Sequence, residues 1–580
     1  MLNVGTSGRF FAVILTVAVI LTGCASPPTE TRQSTNPDGQ TSAARNTAPK
    51  TLRMASIREP VDGVVVFSGN GNILAQFNWI FHAGLTIYDE HGNLQPRLAQ
   101  KVPSIESGDW KVAPDGTMEV TWKLKPGLKW HDGAPLTAED FVFGLQVARD
   151  PQLPLVRTGG INLISEVTAP DAETLVIRWT EPYFSANEGT PAEMPALPRH
   201  IIGDLYRQGD PVLFTNNTFW TKDWVGAGPY KMGEWVPGSH TEALAFDDYV
   251  LGRPKIDRIV VRYILDTNAI IASVLSGDLD LVTIGTLKGD DVEPLQKGWE
   301  QQGNGKVIIT YNDVVAARLN YRNANYPWVQ DKRVRHALMF GLERQEMADT
   351  FSPGSKPPDL YLPPDDPVYK LADERGFPRF PFNTQQADRL MADAGWNRGP
   401  DGLYQNAVTG QPFHIEVRIV ANAPVNTRRG EVLSQLWKRA GFNSDLYPIP
   451  TQATNRPELK ANAQGVFIMP DTMIPTHFEL FQAKSTATPE NRWSGINIGA
   501  YNNPEFDRRF TEYLNTLEVE RRRSIYADLQ RWMIDEMSYL PLYYDVGSSV
   551  TVLRRGISGP TGVLPTQVAG TWNVHTWQMD

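Results

Sequence analysis

The groups in this chain that could do chemistry are its acids, its nine histidines and a single cysteine, and their spacing argues against most of that chemistry. A serine hydrolase would set its nucleophile in Gly-x-Ser-x-Gly or Ser-x-x-Lys. A zinc protease would place ligands in His-Glu-x-x-His, and a nucleotide-binding enzyme would cradle phosphate with Gly-x-x-x-x-Gly-Lys-Ser/Thr. None of these strings occurs. The histidines are scattered without a close ligand pair, so no metal site is built within one stretch. Cys24 is the only cysteine, which removes intramolecular disulfides and thiolate zinc sites together. The expectation is a chain without a sequence-local catalytic or metal site and with no cofactor. A secreted hydrolase assembled from residues distant in sequence is the remote alternative.

The thiol of Cys24 has its own context. Arg9 precedes an apolar run from Phe10 to Leu21, too short to span about 30 Å of hydrocarbon and suited to the core of an export signal. The run closes on Leu21-Thr22-Gly23-Cys24, which resembles the lipobox of bacterial lipoproteins. That resemblance implies a signal peptide over 1–23 and a diacylglycerol on Cys24, anchoring the chain at the outer face of a membrane or in a periplasm. Residues 25–50, rich in Ser, Thr, Pro, Asn and Gln, read as a tether spanning on the order of 30 Å.

These groups need a scaffold. The remaining chain, with 41% hydrophobic and 21% charged residues overall, is globular in composition and long enough for more than one domain. Its net charge of -10 and the lack of a basic run exclude a nucleic-acid partner. Asp62 to Phe67, Met118 to Leu124, Thr174 to Trp179 and Arg258 to Ile264 read as strands. Thr137 with Asp140 is a capping signature ahead of Phe141, Leu145 and Ala148 on one face. Val334 to Leu342 and Ala387 to Ala394 are helical, the second stopped by Gly395. Pro504 to Met537 holds two helices, with Ile525, Leu529, Trp532 and Met533 as an apolar stripe on the second. The class is mixed α/β.

Several blocks resemble the family 5 extracellular solute-binding proteins of dipeptide and oligopeptide importers. The most specific runs from Val120 to Phe141 and contains Pro126-Gly127, Trp130-His131-Asp132-Gly133 and Thr137-Ala138-Glu139-Asp140. Gly226-Ala227-Gly228-Pro229-Tyr230, Ser276-Gly277-Asp278-Leu279-Asp280, Asp331 to Leu338, Ala394-Gly395-Trp396, Tyr501 to Asp507 and Pro541-Leu542-Tyr543-Tyr544 follow in the family's order. Physically most of these are turn pairs, caps and packing tryptophans. In the block after Tyr230 only Tyr249 keeps the family's pattern.

The resemblance implies a type II periplasmic-binding-protein architecture, with two lobes joined by a two-crossover hinge and an extra domain on the first. Lobe I would comprise 51–80, 184–300 and 546–580, the extra domain 81–183, and lobe II 301–545. A small solute would sit between the lobes, and an ABC permease would accept it from a monomeric binding protein. For a short peptide, Asp471 falls where family members place the carboxylate that meets the ligand's ammonium. Trp493 and Asn320 are further cleft candidates, and Arg318, Arg322 and Arg418 are candidates for the ligand's carboxylate. A non-peptide cargo, such as a sugar, a metal chelate or an opine-like compound, is the alternative on the same fold.

Overall fold

Two sheets carry the body, and the chain passes between them twice. The computed structural model describes residues 49–580 except 61–70, 154–158, 192, 288, 365, 422–423, 454–455, 547–549 and 564–568. The first sheet has seven strands in the order Gly305–Ile309, Val550–Arg554, Leu281–Val282, Thr51–Ser56, Arg258–Tyr263, His240–Ala245, Tyr230–Val236. The second has five, in the order Ser444–Pro450, Ile415–Ala421, Gly465–Thr472, Asp313–Leu319, Tyr539–Tyr544. Residues 310–312 carry the chain from the first to the second, and it returns to the first between Tyr544 and Val550.

Strand direction decides where these crossovers leave. Thr51–Ser56 is parallel to both Arg258–Tyr263 and Leu281–Val282. Gly305–Ile309 and Leu281–Val282 are each antiparallel to Val550–Arg554, so they run the same way as one another. The first crossover therefore departs from the edge where these strands have their carboxyl ends. In the second sheet Ile415–Ala421 is parallel to Ser444–Pro450 and to Gly465–Thr472, while Asp313 pairs with Thr472. The crossover thus enters beside the carboxyl end of Gly465–Thr472. The amide of Met473 donates to the carbonyl of Asn312 at 2.8 Å and fixes that meeting point.

A separate four-stranded antiparallel sheet, Trp110–Val112, Met118–Lys123, Thr174–Trp179, Ile164–Asp171, forms the extra domain. Its core contains Trp122, Trp130, Phe141, Leu145 and Ile177. The Val120 to Phe141 block folds as its residues dictate. Gly127 and Gly133 take φ of 72° and 89°, which a side chain resists, so each turn closes on glycine. The Asp140 carboxylate accepts from the Thr137 amide at 2.9 Å and opens the helix Ala138–Arg149. His131 then ties the block to the first lobe: its Nδ1 accepts from the Gly226 amide at 3.1 Å, and its Nε2 donates to the Gly228 carbonyl at 3.1 Å. A Cβ on Gly226 would lie 2.0 Å from the Phe81 carbonyl oxygen, and one on Gly228 would lie 2.4 Å from the His82 nitrogen. The Gly-Ala-Gly segment is the spacer that lets two backbones touch.

The strands expected over Met118 to Leu124, Thr174 to Trp179 and Arg258 to Ile264 are present within a residue. The helices Lys332–Phe340, Thr384–Asp393, Pro504–Asn515 and Val519–Glu536 are likewise present. Gly395 takes φ of 83° at the predicted stop. Asp62 to Phe67 lies outside the described residues, as does Cys24. One boundary needs correction. Gly305–Ile309 pairs in the first sheet, so lobe II does not begin at 301; the strand hydrogen-bonds Val550–Arg554, and the chain changes sheet only after Ile309. The second lobe packs around Val314, Trp328, Leu338, Trp437, Phe478 and Leu540. Among the described residues no helix is long and apolar enough to cross a membrane.

Candidate functional site

In open sheets of parallel strands, ligands bind beyond the carboxyl ends, where loops diverge and backbone groups are unpaired. Here both sheets present such ends toward the same pair of crossovers. The first lobe contributes the segments after Ser56 and Val282, the second those after Ala421, Pro450 and Thr472.

The described side chains at this edge are held firmly. In the first lobe the hydroxyl of Thr283 donates to Gln76, whose amide nitrogen donates to the Ile284 carbonyl at 2.7 Å. Thr571 donates to the Gln76 carbonyl at 2.7 Å, so the C-terminal segment braces the same corner. Glu59 accepts from the Trp235 indole at 2.6 Å and from the Gly238 amide at 2.8 Å. In the second lobe the Tyr361 hydroxyl donates to the Thr472 carbonyl, and His477 Nδ1 donates to the same oxygen at 2.8 Å. Burial holds the His477 pKa below its ordinary value.

The crossovers have an ion pair of their own. Arg429, on the helix Pro424–Arg439 that follows Ala421, donates to Asp545 at 2.8 Å, and its guanidinium lies 5.7 Å from the centre of the Tyr543 ring. The Asp545 amide in turn donates to the Asp313 carbonyl at 2.9 Å, linking the two crossovers. Sequence reading missed this pair. Its only trace was the position of Asp545, one residue beyond the Pro541 to Tyr544 motif.

Asp471 stands on the last turn of strand Gly465–Thr472, near the crossover edge, but it is not uncommitted. Both carboxylate oxygens accept from Arg318, one of them at 3.0 Å from Nε, and both side chains are buried. Burial opposes the Arg318 charge; the Asp471 carboxylate outweighs it and raises the guanidinium pKa above its ordinary value. Arg318 also donates to the Ile496 carbonyl at 3.3 Å.

Asn320 and Trp493 are brought together with Arg322 at a different place. Strand Asp313–Leu319 starts at the crossover, so Asn320 marks its remote end. Asn320 is buried, gives its amide to the Ala461 carbonyl at 2.7 Å and caps the Arg322 amide at 2.9 Å. The Arg322 guanidinium lies 5.2 Å from the centre of the Trp493 ring and binds the Ala461, Ala487 and Ile498 carbonyls. Arg492 and Trp493 hold φ of 54° and 62°, an unusual conformation for residues with side chains. This group clamps the 485–500 segment against the sheet. Arg418 is also engaged: it pairs with Glu416 at 2.5 Å, donates to the Leu459 carbonyl and lies 4.5 Å from the centre of the Tyr447 ring. Thus Asp471 and Arg318, candidates for opposite ends of a ligand, are partners of each other, and Asn320, Arg322 and Trp493 gather together at the other end of the strand.

Against known proteins, the family described as bacterial extracellular solute-binding proteins, family 5 Middle, matches residues 93–477. The oligopeptide-binding protein AppA of Bacillus subtilis is 23% identical over 547 residues, covering 93% of both chains. The oligopeptide-binding protein of Thermus thermophilus, solved with a pentapeptide, is 22% identical with a TM-score of 0.70, covering 91% of this chain and 96% of that one. NikZ of Campylobacter jejuni, solved with Ni(L-His), is 20% identical with a TM-score of 0.71, covering 92% of this chain and all of that one (100%). These solved structures share the two-lobed fold. The motif order, the paired crossovers and a match across most of the body lead to one conclusion: the chain belongs to family 5 of the bacterial extracellular solute-binding proteins.

Proposed function

We propose that this protein captures a short peptide between its lobes and delivers it to the permease of an ABC importer, held at the outer membrane face by lipid on Cys24. One observation carries the capture step: parallel strands of both sheets end beside the same two crossovers. A solute touching both sets of ends binds the closed arrangement more tightly than the open one and shifts the population by that difference. The peptide cargo is supported by the likeness to AppA over nearly the whole chain and by the pentapeptide in the Thermus relative. A carboxylate offers about four lone-pair directions, so Asp471 retains capacity for a ligand ammonium beside Arg318.

A second reading, a solute without an ammonium, is favoured by the Arg318–Asp471 pair itself, because a neutralised carboxylate attracts a cation weakly. Native mass spectrometry of residues 25–580, purified without denaturant, separates the two. A ladder of co-purifying short peptides is expected, and a single metal chelate or sugar would overturn the peptide cargo. For the anchor, Cys24→Ser is expected to move the protein from the membrane fraction to the soluble one; retention at the membrane would count against lipidation. For delivery, solute-loaded protein should stimulate the ATPase of its reconstituted permease more than solute-free protein does. Equal stimulation would refute a transport role.

A further inference from the structure

Beside the crossovers the second lobe holds a cavity of about 350 Å³, within the range of small-ligand pockets. Its wall includes Tyr311 from the first crossover and Tyr544 from the strand that leads into the second, with Tyr369, Lys356, Asp359 and Pro364. The Tyr311 and Tyr544 rings meet edge to face with centres 5.1 Å apart. The cavity is therefore walled by aromatic surface at the point where the lobes hinge.

The hydroxyls of Tyr544 and Tyr369 and the carboxylate of Asp359 are already committed. The Tyr544 hydroxyl donates to the Leu362 carbonyl at 2.9 Å and stands 2.9 Å from the Tyr369 hydroxyl, which accepts from the Leu360 amide at 3.3 Å. Asp359 is held by Arg344 and Arg379, each at 3.3 Å. Lys356 is exposed, and among the described residues no carboxylate stands within ion-pair distance of it. With Asp359 paired to arginines, the charge left among the described lining residues is the Lys356 ammonium.

We infer that this cavity is an anion subsite of the cleft, taking a carboxylate of the bound solute on Lys356 while Tyr311 and Tyr544 pack the adjoining apolar or aromatic part. The inference rests on the capture of a solute in the cleft and names one of its contacts. A charge-assisted hydrogen bond to an ammonium is among the stronger polar contacts, and the ring faces add apolar area, with little rotamer loss at Tyr544, whose hydroxyl is already fixed.

The test uses the whole protein freed of solute by unfolding and refolding, with 3-(4-fluorophenyl)propionate and its amide followed by fluorine NMR. Wild type and Lys356→Arg are expected to bind the acid about tenfold or more tightly than the amide, and Lys356→Met to bind the two alike. Equal binding of acid and amide by the wild type, no binding of either, or a preference that survives in Lys356→Met would overturn the subsite. Failure here is separate from failure of the peptide cargo. Co-purifying peptides with a probe indifferent to Lys356 would remove the subsite alone. A Lys356-dependent probe with a co-purifying chelate would remove the peptide alone.

Discussion

Arg318 and Asp471 show how a residue-scale reading changes once neighbours are known. A carboxylate after a proline near a strand end looks available for a ligand ammonium, yet the guanidinium opposite takes both its oxygens. Removing one partner strands a buried charge. Asp471→Ala should lower unfolding stability by about 3–5 kcal/mol in denaturant titration, whereas an Arg318→Leu, Asp471→Leu double variant should lose less than the sum of the single changes. An additive double variant would mean the pair is not coupled. His82 supplies a pH-dependent prediction of the same scale. It is fully buried, its Nδ1 accepts from the Ala227 amide at 3.3 Å, and burial pushes its pKa down to about 3. Because the folded pKa lies below the unfolded one near 6.5, the unfolded chain binds the extra proton. The stability His82 contributes is complete above about pH 6.5 and is lost as pH falls toward 3, at about 1.4 kcal/mol per pH unit. Chemical denaturation across that window should show a shallower acid loss in His82→Gln; an unchanged slope would refute the assignment.

At the scale of elements, caps and turns were the most legible features. Thr137 with Asp140, Gly395 after a helix, and the apolar stripe at Ile525, Leu529 and Met533 each encode a boundary or a face locally, without help from distant chain. Asp140 goes further than a cap, since its carboxylate also accepts from the Trp130 indole and the Arg199 amide, each at 3.3 Å. Asp140→Ala should therefore cost about 1–3 kcal/mol in thermal or chemical unfolding, more than an exposed cap would. Gly228→Ala should also destabilise, by about 1–3 kcal/mol, because the added methyl meets the backbone of His82. Wild-type stability in either variant would disprove the corresponding contact. The strand Gly305–Ile309 was not assignable to its sheet by such local reasoning, because its partner lies more than two hundred residues away.

For the whole molecule, the two-lobed class is readable from motif order, whereas the places the candidate site residues take in the sheets are not. Trp493 and Asn320 were plausible by residue type alone. Only strand direction shows that they sit at the end of the sheet remote from the crossovers, clamping the 485–500 segment. Conversely, Arg429, Asp545 and Lys356 have no local motif, and their roles arise from chain segments that meet only in three dimensions. Opposed strand ends joined by two short crossovers predict a compaction on loading. X-ray scattering should give a smaller radius of gyration for solute-loaded than for solute-free protein. Identical profiles would rule out lobe closure. Asp545→Ala should alter that difference, because it releases Arg429 from the crossover.

The placement of Val550–Arg554 has a consequence for how the chain is made. This late strand lies between Leu281–Val282 and Gly305–Ile309, so neither of those neighbours can complete its pairing until some 550 residues have been synthesised. The second lobe, by contrast, has all five of its strands by Tyr544. The biosynthetic order is thus inside out: the later-starting lobe can condense first, while the earlier one waits with an unfilled gap in its sheet. Long sequence separation slows such pairing, and unpaired strand edges invite wrong partners in the interval. A chain stopped after Val546 should accordingly show protected amides in the second lobe and unprotected ones along Gly305–Ile309.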